Sequence, residues 1–376
     1  MGRFLALVSV LVACGDNLTV EDVQDPDFDG PAKPGIEARY VPAVCGVRTW
    51  DASFAADVSV SVAPGTEGAS MVALSSGTLY GFVIDPRMDI ASSTKIDLGA
   101  TYSSVTASFV GGRVATTSID TSTVYVHQLD DALANPQYIT SLPGTHLAKP
   151  AFYAVGNEFV MPVVTDEGLW LHRFYDSLEP IDFARVMPVA KPPRALSATE
   201  MAGKLLTAFS TDGDCYLALT DATGAGPTKQ IASACENPRL AAHGDLGIML
   251  FDSVDGVRLM RLDGAQFGGD ALVVRSPTHT PRIVFDGTRF WVSYIDVRGQ
   301  VVVGFLDENL HPNTLALPDP SPATDGYELV MIDGAPWVIT LTTNGYAAHQ
   351  MCAVPDGSST LPQDGVRGHS MDQLTL

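Results

Sequence analysis

"PRIVFDGTRFWVSYIDVRGQVVVGFLD", residues 281–307, decides the fold. It reads as three short strands. Ile283–Phe285 ends at the turn pair Asp286-Gly287, Phe290–Ile295 ends near Asp296-Val297-Arg298-Gly299, and Val301–Leu306 follows. β-Branched and aromatic residues fill the runs and glycine marks the turns, the pattern of adjacent antiparallel strands.

The layout recurs. "FVMPVVTDEGLWLHRF" from Phe159, "LLTAFSTDGDCYLALT" from Leu205, "GIMLFDSVDGVRLMRL" from Gly247, "WVITLTTNGYAAHQM" from Trp337 and "VATTSIDTSTVYVHQL" from Val114 repeat it. "MVALSSGTLYGFVI" from Met71 is a weaker copy. The third strands are expected to begin at Leu79, Val124, Leu169, Cys215, Val257, Val301 and Tyr346, in steps of 45, 45, 46, 42, 44 and 45 residues. Pro150, Pro193, Pro238 and Pro281 precede the expected first strands, where a missing N–H costs little.

Seven copies of four short strands predict an all-β, seven-bladed β-propeller. One small twisted sheet cannot bury both of its faces, but its neighbours in a ring cover them. Hence Val301-Val302-Val303-Gly304-Phe305 is apolar on both faces. The pattern Pro-Arg-x-x-x-Asp-Gly-x-x-Phe-Trp-Val of residues 281–292 resembles repeats of secreted bacterial propeller proteins, over most of residues 58–352. Neither a Trp-Asp signature nor a Ser-x-Asp-x-Gly box recurs at matching positions.

The last copy lacks a fourth strand after Tyr346–Cys352, and the run Tyr40–Trp50 is expected to supply it and close the ring. This places Cys45 beside Cys352. Cys215 and Cys235 are equidistant from the turn Thr223-Gly224-Ala225-Gly226-Pro227, so they are expected to face each other across a hairpin and form a second disulfide.

The fifth cysteine, Cys14, has a different setting. Arg3 precedes an apolar run from Phe4 to Val12, too short to span a bilayer, and Ala13 precedes Cys14. Leu11-Val12-Ala13-Cys14 resembles the lipobox of bacterial lipoproteins. The resemblance implies that residues 1–13 are a signal peptide and that Cys14 is lipidated with palmitate-type chains. With Gly15 next and Asp16 one place late for inner-membrane retention, it implies outer-membrane sorting in the cell envelope. Residues 14–36 read as the lipidated cysteine and a flexible acidic tether, 37–356 as the propeller, and 357–376 as a polar tail.

Composition narrows the function. The chain has 376 residues, 46% hydrophobic and 17% charged, with formal net charge −21 and sequence pI about 4.5. A large core is affordable, and the acidic surface disfavours nucleic acid. The hairpins between second and third strands carry Asp120, Asp166, Glu167, Asp212, Asp214, Asp252, Asp255 and Asp296. Gathered on one face around the channel mouth, they form a candidate binding rim for a metal, a cationic ligand or a basic partner. The competing reading is that aspartate is simply favoured in tight turns. His127, His172 and His349 share one register in their third strands and read as structural, bonding between blades; Trp170, Trp291 and Trp337 read as core. Asp25, Asp27 and Asp29 before Gly30 match the front of a calcium loop, but the closing acid, Glu37, lies one place late. Calcium is the one cofactor so suggested.

No nucleophile elbow, zinc-protease motif, phosphate loop or dinucleotide fingerprint is present. The expectation is a monomeric, lipid-anchored envelope propeller that binds a protein or glycan. The alternatives are a carbohydrate hydrolase or lyase using carboxylates such as Asp212 and Asp252, and a structural spacer.

Overall fold

Seven four-stranded antiparallel sheets are arranged as a ring. This computed structural model describes residues 40–356, apart from 52–53, 56, 66, 100, 121, 144–148, 189–190, 192–193, 232–233, 265, 275–278, 308–309, 318–325 and 344. Cys14, the leader, the tether with Asp25, Asp27 and Asp29, the polar tail and Pro193 lie outside the described residues. Blades 1 to 6 span residues 59–96, 104–143, 153–188, 195–231, 236–274 and 279–316, each with its strands in chain order from the axis outward. Blade 7 takes its three inner strands from residues 327–355 and its outermost strand from Tyr40–Trp50. The ring closes where the inner strand of blade 1, Ser59–Pro64, meets that of blade 7, Tyr327–Ile332.

The period marked the strands closely. Third strands begin at Thr78, Thr123, Gly168, Cys215, Gly256, Val301 and Gly345, all within one residue of expectation. The reason for the two-faced apolar strands is visible in the core. Met71 and Phe82 of blade 1 pack with Trp337 and Ile339 of blade 7, and Leu217 of blade 4 packs with Met249 of blade 5. Every junction between neighbouring blades holds such a cluster. Each fully buried large side chain contributes roughly 1.5–3 kcal/mol by leaving water, so the stability of a blade resides largely in its neighbours.

Strand alternation defines two faces. The second-to-third hairpins and the links between blades lie on the upper face; the first-to-second and third-to-fourth turns lie on the lower. A repeated device shapes the lower turns. Met88, Leu133, Leu178 and Leu310 all have positive φ, and the N–H of each donates to the carbonyl three residues back, at Asp85, Asp130, Tyr175 and Asp307. The odd backbone turns an apolar side chain inward: Met88 and Leu133 are fully buried. Asp85, Asp130 and Asp307 also accept backbone N–H groups of their own turns, the usual reason aspartate starts a turn.

Two expectations need correction in detail. Pro238 and Pro281 do not precede their strands; they lie inside Glu236–His243 and His279–Phe285, at breaks in the ladder. A bulge leaves a residue unpaired, so the missing N–H is harmless there. Asn237 and Thr280, just before these prolines, have φ of 47° and 52°. Both disulfides form, with Cα–Cα distances of 6.0 Å for Cys45–Cys352 and 5.5 Å for Cys215–Cys235. Cys215 pairs in the ladder with Ile231 rather than Cys235. The hairpin turn is centred earlier than assumed, and Cys235 lies past the fourth strand, at the entry to blade 5. Cys45 sits unpaired at a bulge between Val44 and Gly46, which pair with Met351 and Gln350, while Cys352 itself pairs with Ala43.

Candidate functional site

The acidic hairpins are built as turns. Asp120 accepts the N–H groups of Ser122 and Thr123, at 3.0 and 2.9 Å, and the Tyr125 hydroxyl at 3.1 Å. The backbone donors hold its carboxyl below the ordinary range. Asp296 accepts from the N–H groups of Arg298 and Gln300, at 2.8 and 2.9 Å. Asp255 binds Arg258 and the Ser253 hydroxyl, which bring its pKa to about 2. Asp212 pairs with Arg194 at 2.9 Å and Asp214 with Lys191 at 3.2 Å. Asp166 and Glu167 are exposed at the tip of blade 3. Among the described residues, no group of three His, Cys, Asp or Glu side chains could hold a metal ion. The hairpins share the upper face, but they join second and third strands, so they stand one strand out from the strands that line the channel.

Asp252 is different. It lies within the strand Leu246–Ser253, not in the hairpin, and is 8% exposed. Its carboxylate accepts from Asn237 Nδ2 at 2.9 Å and from the Thr280 N–H of the next blade at 3.2 Å. It thus ties the proline bulges of blades 5 and 6 together. The proposed pairing of Asp212 and Asp252 as solvent-facing acid and base does not fit this burial.

The aromatic contacts of His127 and His172 lie within their own blades, not between blades as expected. His127 and His172 are buried, with ring centroids 5.8 Å from Tyr138 and 5.4 Å from Phe183 on the outer strands of their own blades. Burial lowers both, His172 to about 4. Trp291 and Trp337 are core, but Trp170 is half-buried, with its Nε1 donating to Thr165 Oγ1 at 3.2 Å. The Asp-Gly and Phe-Trp of the repeat pattern meet at a lower turn: Asp286 accepts Trp291 Nε1 at 2.6 Å and the Thr288 and Arg289 N–H groups. Burial alone would raise that carboxyl; these donors outweigh it and lower it.

The channel itself carries groups not singled out from sequence. It encloses about 600 Å³ and is lined by the inner strands of all seven blades. Among the described residues, its charged lining is Lys149, Arg239, Arg282 and Glu328. Arg282, 5% exposed, pairs with Glu328 at 3.2 Å, donates to the Thr280 and Pro281 carbonyls at 3.3 and 3.2 Å, and lies 5.0 Å from the centre of the Tyr327 ring. The Tyr327 hydroxyl donates to the same Thr280 carbonyl. Lys149 donates to Ser59 Oγ at 3.2 Å, and Arg239 to the Leu196 carbonyl at 3.4 Å. These groups stand near the starts of the inner strands, in the upper half. The signal for them was a basic residue beside the repeated proline, in Lys149-Pro150, Pro238-Arg239 and Pro281-Arg282.

With this geometry, the chain defines a seven-bladed β-propeller whose channel carries its charged residues near the upper end. No family model matches the chain, and no curated protein matches it. Solved structures do share the fold. A chain in the crystal structure of BBS1N in complex with ARL6DN is similar at TM-score 0.56 and 12% identity, over 86% of this chain and 99% of that one. The Dos1 propeller is similar at TM-score 0.55 and 14% identity, over 80% of this chain and 85% of that one.

Proposed function

We propose that this propeller is a lipid-anchored binding module of the cell envelope that engages a protein partner through its upper face. The observation that carries the reading is the direction of the closing strand. Tyr40 pairs with Pro355 and Trp50 with Tyr346, so the chain enters and leaves the disc at its lower face. A tether that joins the disc at its lower face leaves the hairpin-bearing upper face clear of the point of attachment. Loops on a rigid scaffold are where recognition concentrates. The two disulfides support a compartment outside the cytoplasm. The similar structure of BBS1N in complex with ARL6DN is a likeness of fold, and lends the reading only a general precedent.

The test uses the full chain in a Gram-negative host, with a photo-crosslinking residue at Glu167 on the upper face or at Asp131 on the lower. Palmitate label lost on Cys14→Ser, together with a crosslinked envelope protein from position 167 and none from 131, is the expected result. Label absent from the unaltered chain overturns the anchor. Crosslinks from 131 alone overturn the choice of face, and none from either overturns the binding module.

A further inference from the structure

We propose that the channel binds a small organic oxyanion, its carboxylate or phosphate held in the upper half and its apolar body in the lower. This site stands apart from any partner at the hairpins and does not depend on the anchor.

The first argument is charge. Among the described residues, three cations, Lys149, Arg239 and Arg282, line the channel against one lining carboxylate, Glu328, with Asp252 buried behind the Arg282 bulge, in a chain whose formal net charge is −21. A local excess of positive charge inside low-dielectric walls focuses the field and attracts anions. The position is fixed rather than fortuitous. Arg282 is clamped by Glu328, two carbonyls and the Tyr327 ring, and Asp252 holds the bulge from which it projects. Preorganised donors bind at low entropic cost.

The second argument is the hydroxyls. Ser61 Oγ accepts the Ala107 N–H of the next inner strand at 3.0 Å, Ser108 accepts that of Phe152 at 3.0 Å, and Ser197 that of Leu240 at 3.1 Å. All three serines line the channel. A hydroxyl that accepts still has its own proton to donate, so the blade-to-blade ties also present O–H donors to the channel. An acceptor-rich anion suits such a lining.

The third argument is size and grading. About 600 Å³ is the range that encloses a drug-sized molecule. The charged residues all stand near the upper ends of the inner strands, whereas the lower ends are lined by Val62, Phe109 and Met331 beside Ser108 and Thr199, and Phe109 is 36% exposed.

Titration calorimetry of the full oxidised chain with phenyl phosphate, benzoate and benzyl alcohol tests this. At least one of the two anions should bind with a Kd of about 1 mM or tighter, and benzyl alcohol roughly tenfold more weakly or not at all. Whichever anion binds more tightly identifies the carboxylate or the phosphate as the natural headgroup. Raising the salt should weaken the anion, a readout that needs no variant. Lys149→Gln with Arg239→Gln should cost about tenfold or more in Kd at an unchanged circular dichroism spectrum. No binding of either anion, equal binding of the alcohol, insensitivity to salt, or an unchanged Kd in the folded double variant would overturn the proposal.

Discussion

Asp252 and Asp296 stand 44 residues apart, the step between the third strands of blades 5 and 6 as read from sequence. By the repeat they are the same position, yet one is a buried tie and the other a turn cap. The difference is the hairpin. In blade 5, Ser253 pairs with Gly256 across the two-residue turn Val254-Asp255, so Asp252 is carried into the ladder opposite Val257. In blade 6, the ladder ends at Ile295 and Val301, and Asp296 starts a longer turn closed by its N–H to the Gln300 carbonyl. Register follows turn length, and a change of turn moves a side chain between water and core. An aspartate in a repeat therefore has no fixed role until its turn is known.

Breaking the buried member should have the largest effect. Asp252→Ala removes two charge-assisted hydrogen bonds and leaves the Thr280 N–H without this acceptor, and should cost about 4 kcal/mol in denaturant unfolding. A loss under 1 kcal/mol would mean that the bulges hold themselves. The contrast extends to a base. His172 is 7% exposed and titrates near 4 against an ordinary 6.5. Between these values the unfolded chain takes up a proton that the folded chain refuses. Stability is thus complete above about pH 6.5 and falls by about 3 kcal/mol as pH drops to 4. His172→Gln should flatten that part of the curve; an unchanged slope would place the acid sensitivity elsewhere.

The members in turns should matter less. Asp296→Ala loses the turn's acceptor and should cost about 1 kcal/mol, while Asp296→Asn, which can still accept, should stay near the parent in a thermal scan. Equal losses would show that charge, not turn geometry, is what Asp296 supplies. Smallest of all, Asp166→Asn at its exposed tip should fall within about 0.5 kcal/mol, and a larger change would point to a contact beyond the hairpin.

The ring was legible because its cause is periodic. Strand content, a steady step and two-faced apolar third strands follow from blades burying each other, and the closing strand Tyr40–Trp50 followed from a missing fourth strand. The site was legible only in part, because its determinants are not periodic. Whether Asp252 caps or packs depends on one turn. The partner of Cys215 in the ladder depends on where the next turn is centred. The channel's charges come from basic residues beside Pro150, Pro238 and Pro281, and which of those face the axis is set by bulges that the step does not encode. Another periodic signal went unread: Asp-x-x-Leu, as at Asp130 to Leu133 and Asp307 to Leu310, marks the lower turns by an apolar residue that a positive φ sends inward.

The closing strand also sets an order of events. Tyr40–Trp50 leaves the ribosome among the first residues of the disc, yet its ladder partner is among the last, and Cys45 precedes Cys352 by 307 positions. At roughly 5–20 residues per second, the first segment made waits on the order of 15–60 s for the last. Throughout that time it is an unpaired strand edge with a reduced or mispaired thiol, a form open to association with other edges. The circle can be completed only after the whole polypeptide has been delivered. A nascent chain stopped before Gly345 would therefore hold its earlier blades as an open arc, and whatever accompanies it during delivery must shield both ends of that arc at once.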